Sequence, residues 1–137
     1  MGERSEGTGN AGFDAETYIR MLIAIAKADP DNAPHEFAFV RKMARKVGVD
    51  YDTFMQETDK AYVPDKQHVS RLTALVVLRD AIALASLDRN ISLPERQRLY
   101  TYAERLDIPR KDMEALENLV QDQRKLSERW KSLVASR

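Results

Sequence analysis

A chain of 137 residues with 22 basic and 22 acidic side chains carries no net field that would draw it to nucleic acid or an anionic membrane. It has no cysteine, which excludes disulfide frameworks, thiolate metal sites and cysteine nucleophiles and points to a reducing, cytoplasmic setting. Glycine and proline number five each and fall between periodic segments, which argues against sandwiches and barrels and for one all-α domain with a core of its own.

Met1 to Gly12 is rich in small and polar residues and has no apolar run, so residues 1–13 read as a disordered arm and neither a signal peptide nor an anchor. The single domain expected over residues 14–134 begins with Asp14 as a helix cap. Tyr18, Ile19, Leu22, Ile23, Ile25 and Ala26 recur at helical spacing as far as Asp29-Pro30. Pro34 suits the first turn of a second helix with Phe37, Val40, Met43, Ala44 and Val47 on one face and Gly48 as its stop. Asp50 opens a shorter helix carrying Phe54 and Met55. Tyr62 to Asp65 is a connector, and a long helix from about His68 to Leu87, apolar on nearly all sides, is expected at the centre of the domain. Arg79 and Asp80 interrupt that stretch, which falls far short of the roughly 20 apolar residues needed to span a bilayer. Ser92-Leu93-Pro94-Glu95 fits a capping box, and Pro109 and Asp112 open a last helix reaching about residue 134.

A shift of 59 residues carries Asp29 onto Asp88, Glu36 onto Glu95, Val40 onto Leu99, Ala44 onto Ala103 and Val49 onto Ile108 without a gap. The same shift lays Ile23-Ala24-Ile25-Ala26 on Ile82-Ala83-Leu84-Ala85. The chain therefore reads as two helix–loop–helix units, one over about residues 18–57 and one over about 77–116. Alanines at alternate positions (Ala24, Ala26, Ala28; Ala81, Ala83, Ala85) let the two leading helices approach closely near a pseudo-twofold axis.

Each unit places an aspartate at the end of one helix and a glutamate in the first turn of the next. The glutamates gain from the helix macrodipole, whereas Asp29 and Asp88 sit beside negative dipole charge, so something must offset them. Turn chemistry is one offset, since aspartate bonds backbone amides two residues on. The other is a hard divalent cation, Ca²⁺ or Mg²⁺ before Zn²⁺, held by Asp29, Asp31, Glu36, Asp88, Asn90 and Glu95. The first loop is not an EF-hand: it lacks the glycine at position six, and Val40 stands at position twelve.

Other chemistry finds no support. His35-Glu36 is followed by Phe37-Ala38-Phe39, not the second histidine of a zincin, His68 stands alone, and no glycine-rich phosphate loop exists. The basic run Arg41, Lys42, Arg45, Lys46 lacks an aromatic stacking platform and reads as a solvated helix face. Near the C-terminus Leu126, Trp130, Leu133 and Val134 continue an apolar stripe. It reads first as closure of the domain's own core. Leu126, Trp130 and Leu133, with Arg129 and Lys131 beside the tryptophan, also suit a partner-docking anchor.

The two stretches IAIAKADPDNAPHEFAFVRKMARKVGV and IALASLDRNISLPERQRLYTYAERLDI resemble the TerB-like domain family. That family includes tellurite-resistance proteins and the N-terminal region of membrane-linked DnaJ co-chaperones. The resemblance covers roughly Tyr18 to Leu119, and where the family usually has glycine after the turn aspartate, Pro30 and Arg89 stand here. It implies an all-α fold with a pseudo-twofold axis, an acidic metal-binding patch on Asp29, Glu36, Asp88 and Glu95, and a role in stress-response or membrane-associated complexes. The expected function is that of a non-enzymatic accessory protein with protein partners, a homodimer among them, and no nucleic acid. The alternative is a metal-free interaction module docking through the C-terminal helix or a groove between the repeats.

Overall fold

The computed structural model describes residues 12–29, 34–86 and 91–136, so the expected N-terminal arm lies outside it apart from Gly12 and Phe13. Among the described residues there are six α-helices and no strand. In chain order they are α1 (Ala15–Ala28), α2 (Pro34–Val47), α3 (Tyr51–Glu57), α4 (Arg71–Ala85), α5 (Leu93–Arg105) and α6 (Arg110–Ala135), with one 3₁₀ turn at Lys66–His68. No helix among them is long and apolar enough to cross a membrane.

Local chemistry starts and stops these helices. Asp14, Asp50, Ser70 and Ser92 each sit just ahead of a helix in extended conformation and accept from the amide three residues on. Such caps satisfy donors that the first helical turn leaves open. The long central helix begins at Arg71, later than the period suggested, because Ser70 captures the Thr73 amide and the preceding Lys66–His68 closes as a separate turn on Asp65. α2 and α5 end alike. Gly48 (φ 78°) and Asp107 (φ 61°) are left-handed, and the amides of Val49 and Ile108 return to the carbonyls of Ala44 and Ala103, both at 2.9 Å. This is the Schellman closure that glycine favours.

The core forms where α1 crosses α4. α1 buries Tyr18, Ile19, Met21, Leu22, Ile23, Ala24 and Ala26, and α4 buries Thr73, Ala74, Val77, Leu78, Ala81 and Ile82. α4 thus shares the centre with α1 and leaves Leu72 half exposed. Two polar contacts fix the crossing: the Tyr18 hydroxyl donates to Asp80 Oδ2 at 2.7 Å, and the Asp14 amide donates to Thr73 Oγ1 at 2.9 Å. α2 packs on α1, and α5 packs on α4.

Charged side chains tie on the outer elements. Lys27 donates to the carbonyls of Met55 (2.6 Å) and Thr58 (2.7 Å), capping α3, while the Arg20 guanidinium lies 4.1 Å from the Phe54 ring centroid. α6 is fastened to α5 through Arg96, whose Nε reaches Glu117 Oε2 at 2.6 Å, and Tyr100, which donates to Glu117 Oε1 at 2.7 Å. Burial alone would raise the Glu117 pKa, but hydrogen bonds from Arg96 and Tyr100 outweigh it and hold the carboxyl below its ordinary value.

The C-terminal stripe does not close the core. Met113 and Val120 are the buried residues of α6, Arg124 donates to the Ser86 carbonyl, and past that contact the helix projects from the rest of the described residues. Leu126, Trp130, Leu133 and Val134 are 62, 64, 68 and 61% exposed. The physical reason is length: α6 runs 26 residues beside packing partners α4 and α5 of 15 and 13, so among the described residues nothing covers its far half.

Gly48 offers a clean test of the α2 ending. A Cβ added there meets no atom within 4 Å, so Gly48→Ala carries only the cost of its left-handed backbone. We expect urea unfolding to show a loss of about 1 kcal/mol with an unchanged m-value.

Candidate functional site

The α1–α4 crossing sets the ends of α1, α2 and α5 against one another. Asp29 stands at the C-terminal end of α1, where extended backbone precedes Pro30, and Glu36 and Glu95 stand in the first turns of α2 and α5. One carboxylate oxygen from each lies within 4.8 Å of the others. The two glutamates come from sequence positions 59 apart, so the acids of both loops gather in one cluster. Asp31, Asp88 and Asn90 lie outside the described residues.

Burial makes this proximity costly. Asp29 is only 7% exposed, and the side chains of Glu36 and Glu95 are half-buried. Arg98, a turn beyond Glu95 on α5, reaches Asp29 Oδ1 at 3.4 Å. That guanidinium contributes to the offset which an acid at a helix C-terminus needs. The imbalance falls on Glu36. Burial, the charge of Asp29, a hydrogen bond to Asp29 and then the charge of Glu95 push its carboxyl from an ordinary 4.5 up to about 7, with Arg98 pulling the other way. Below that pH Glu36 holds a proton shared with Asp29. Glu95 is steadied by the helix cap: the Ser92 hydroxyl donates to Glu95 Oε1 at 3.1 Å and accepts from the Glu95 amide at 3.3 Å.

The three acids line a cavity of about 470 Å³ between α1, α2, α4 and α5. Its walls are mostly apolar, with Leu22, Ile25 and Ala26 from α1, Val40 from α2, Ala81, Leu84 and Ala85 from α4, and Leu99 and Tyr102 from α5. The small alanines on the two crossing helices leave this space. Neither Arg98 nor the cavity was legible in the sequence, because Arg98 meets Asp29 across 69 residues through the helix packing.

As a donor set the cluster offers carboxylate oxygens without a nitrogen or sulfur ligand, which suits hard cations such as Ca²⁺ or Mg²⁺ better than Zn²⁺. The other sequence-marked residues lie apart from it. Leu126, Trp130 and Leu133 project from the far half of α6, and His35 and His68 are exposed. No family model, no curated protein and no solved structure matches the chain.

The raised Glu36 pKa fixes a pH dependence. The folded state holds this proton up to about pH 7 while the unfolded chain releases it near the ordinary 4.5, so Glu36 lowers stability progressively as pH rises through that window. We expect Glu36→Gln to flatten this part of the stability profile and to melt above the parent at pH values above 7. Thermal melts across the window read it directly, and a parent profile with no such fall would contradict the assignment.

Proposed function

We propose that this chain is a non-enzymatic, TerB-like accessory domain that takes a divalent cation, calcium or magnesium rather than zinc, on Asp29, Glu36 and Glu95. The observation that carries the reading is the convergence of three carboxylates from both helix pairs within 4.8 Å of one another. Three such charges repel one another in a half-buried setting, and a cation of charge two relieves what a proton on Glu36 now relieves. Asp31, Asp88 and Asn90, close by in sequence, are the further oxygen donors of this reading. The cation's contribution is charge neutralisation that fastens the first turns of α2 and α5 to the end of α1.

The two helix pairs are, in this reading, copies of one unit about a pseudo-twofold axis. Gly48 and Asp107 support it, since both are left-handed and lie 59 positions apart with the same hydrogen bonds around them. The Asp14–Thr73 contact, joining residues 59 apart at the α1–α4 crossing, supports it too. The accessory role proposed is in stress response of the tellurite-resistance kind, in the cytoplasm and alongside protein partners, possibilities that the resemblance of the two units supports.

A second reading has its own observation. The exposed stripe of Leu126, Trp130 and Leu133 favours a protein-interaction module that docks through α6.

The cation reading is tested by melting EDTA-stripped protein with and without Ca²⁺, Mg²⁺, Mn²⁺ or Zn²⁺ at about 1 mM. At 100 times its Kd a ligand of the folded state adds about 2.7 kcal/mol, so the midpoint should rise by several degrees with Ca²⁺ or Mg²⁺. Glu36→Gln combined with Glu95→Gln should abolish the rise. A flat response of the parent to all four ions would sink the reading.

A further inference from the structure

The far half of α6 is a helix with an apolar seam that nothing among the described residues covers. Leu116, Leu119, Gln123, Leu126, Trp130 and Leu133 follow one another at alternating spacings of three and four, the a and d positions of a heptad. Leu119 is 46% exposed and the last three are more so, while Leu116 touches the body only with its inner side. At about 100° per residue, this seam lies roughly a quarter turn round the helix from the body-facing Met113, Val120 and Arg124. A second helix can therefore lie along it without displacing the body.

We propose that this seam pairs antiparallel with the same seam of a second copy of the chain. The charges choose both the occupant and the direction. Flanking the seam at successive g positions are Asp122 and Arg129, both exposed and neither in an ion pair among the described residues. In an antiparallel pair a faces d and g faces g, so Asp122 of each copy meets Arg129 of the other, twice by symmetry. In that register Leu119 packs on Trp130, Gln123 on Leu126, and Leu116 on Leu133, over about 27 Å of helix. A parallel pair sets Asp122 against Ser127 and Arg129 against Val134, which wastes both charges and places Trp130 on Trp130. The lone Gln123 falls beside its own copy near the axis, where one polar residue fixes register.

The exposed stripes of two copies put on the order of 1,000 Å² between them, the size of weak, transient interfaces, so the dimer is concentration-dependent in the micromolar range. An overhang of about 11 residues past Arg124 is marginal as an isolated helix in water, and pairing supplies the contacts it lacks. The proposal deepens the interaction reading by naming a second copy as the partner, and it leaves the acid cluster untouched.

Sedimentation velocity over about 1–200 µM, with Trp130 emission followed on the same series, tests it. Trp130 is the chain's one tryptophan, so its emission should move to shorter wavelength as dimer forms. Trp130→Ala should weaken the dimer by about 30-fold or more, with far-UV circular dichroism showing the body still folded. Asp122→Arg and Arg129→Asp should each weaken it about fivefold or more, and the two together should restore it to within about twofold of the parent. A chain monomeric throughout the series, a dimer indifferent to Trp130→Ala, or a charge swap without recovery would each overturn the proposal. Because none of these variants touches Asp29, Glu36 or Glu95, a failure here and a failed cation response are read separately.

Discussion

Helices α1 and α4 bury each other's faces, Ala24, Ala26 and Ala81 among them, and Tyr18 reaches Asp80 and Asp14 reaches Thr73 across the crossing. Everything else hangs from this crossing. α2 follows α1 and packs back on it, and α5 follows α4 and does the same, so the first turns of α2 and α5 are brought to one place. The acids at those turns meet because the helices behind them meet. The same alanines leave the apolar cavity that the acids line.

The electrostatic outcome follows from charge and burial. Three carboxylates lie within 4.8 Å of one another beside Arg98, and burial with the charge of Asp29 and Glu95 pushes the Glu36 carboxyl up to about 7. Such a cluster is stable but compressed, and any positive charge that enters competes with the proton on Glu36. The cation proposal and the raised pKa are thus two descriptions of one surplus of negative charge. The far half of α6 presents the opposite situation, an exposed apolar surplus, which invites a partner helix instead of an ion.

Local features were readable in the sequence because they depend on residues within one turn. Asp14 and Ser92 cap, Gly48 stops, and Pro34 and Pro109 start where backbone chemistry requires. The start of α4 was misplaced since nothing in Lys66–His68 announces a separate turn; only the Ser70 cap does. Asp29, Glu36 and Glu95 were marked by an unfavourable helix-end charge and by spacing, yet their union in one cluster depends on the α1–α4 crossing, and Arg98 carried no local sign of its role. In the sequence the stripe of Leu126, Trp130, Leu133 and Val134 suits core closure and partner docking alike, because a period of 3.6 looks the same on a covered helix and on a protruding one. The length of α6 against that of the other helices was the signal available.

Titration calorimetry of Ca²⁺ and Mg²⁺ into EDTA-stripped protein, run at about pH 6 and about pH 8 in buffers of different ionisation heat, tests the central claim most directly. If the cation and the Glu36 proton compete for the same carboxylates, one of the two ions binds more tightly at the higher pH. Its binding then releases close to one proton at the lower pH and almost none at the higher. Binding of equal strength at both, with no proton released at either, or no binding heat at all, would contradict the account.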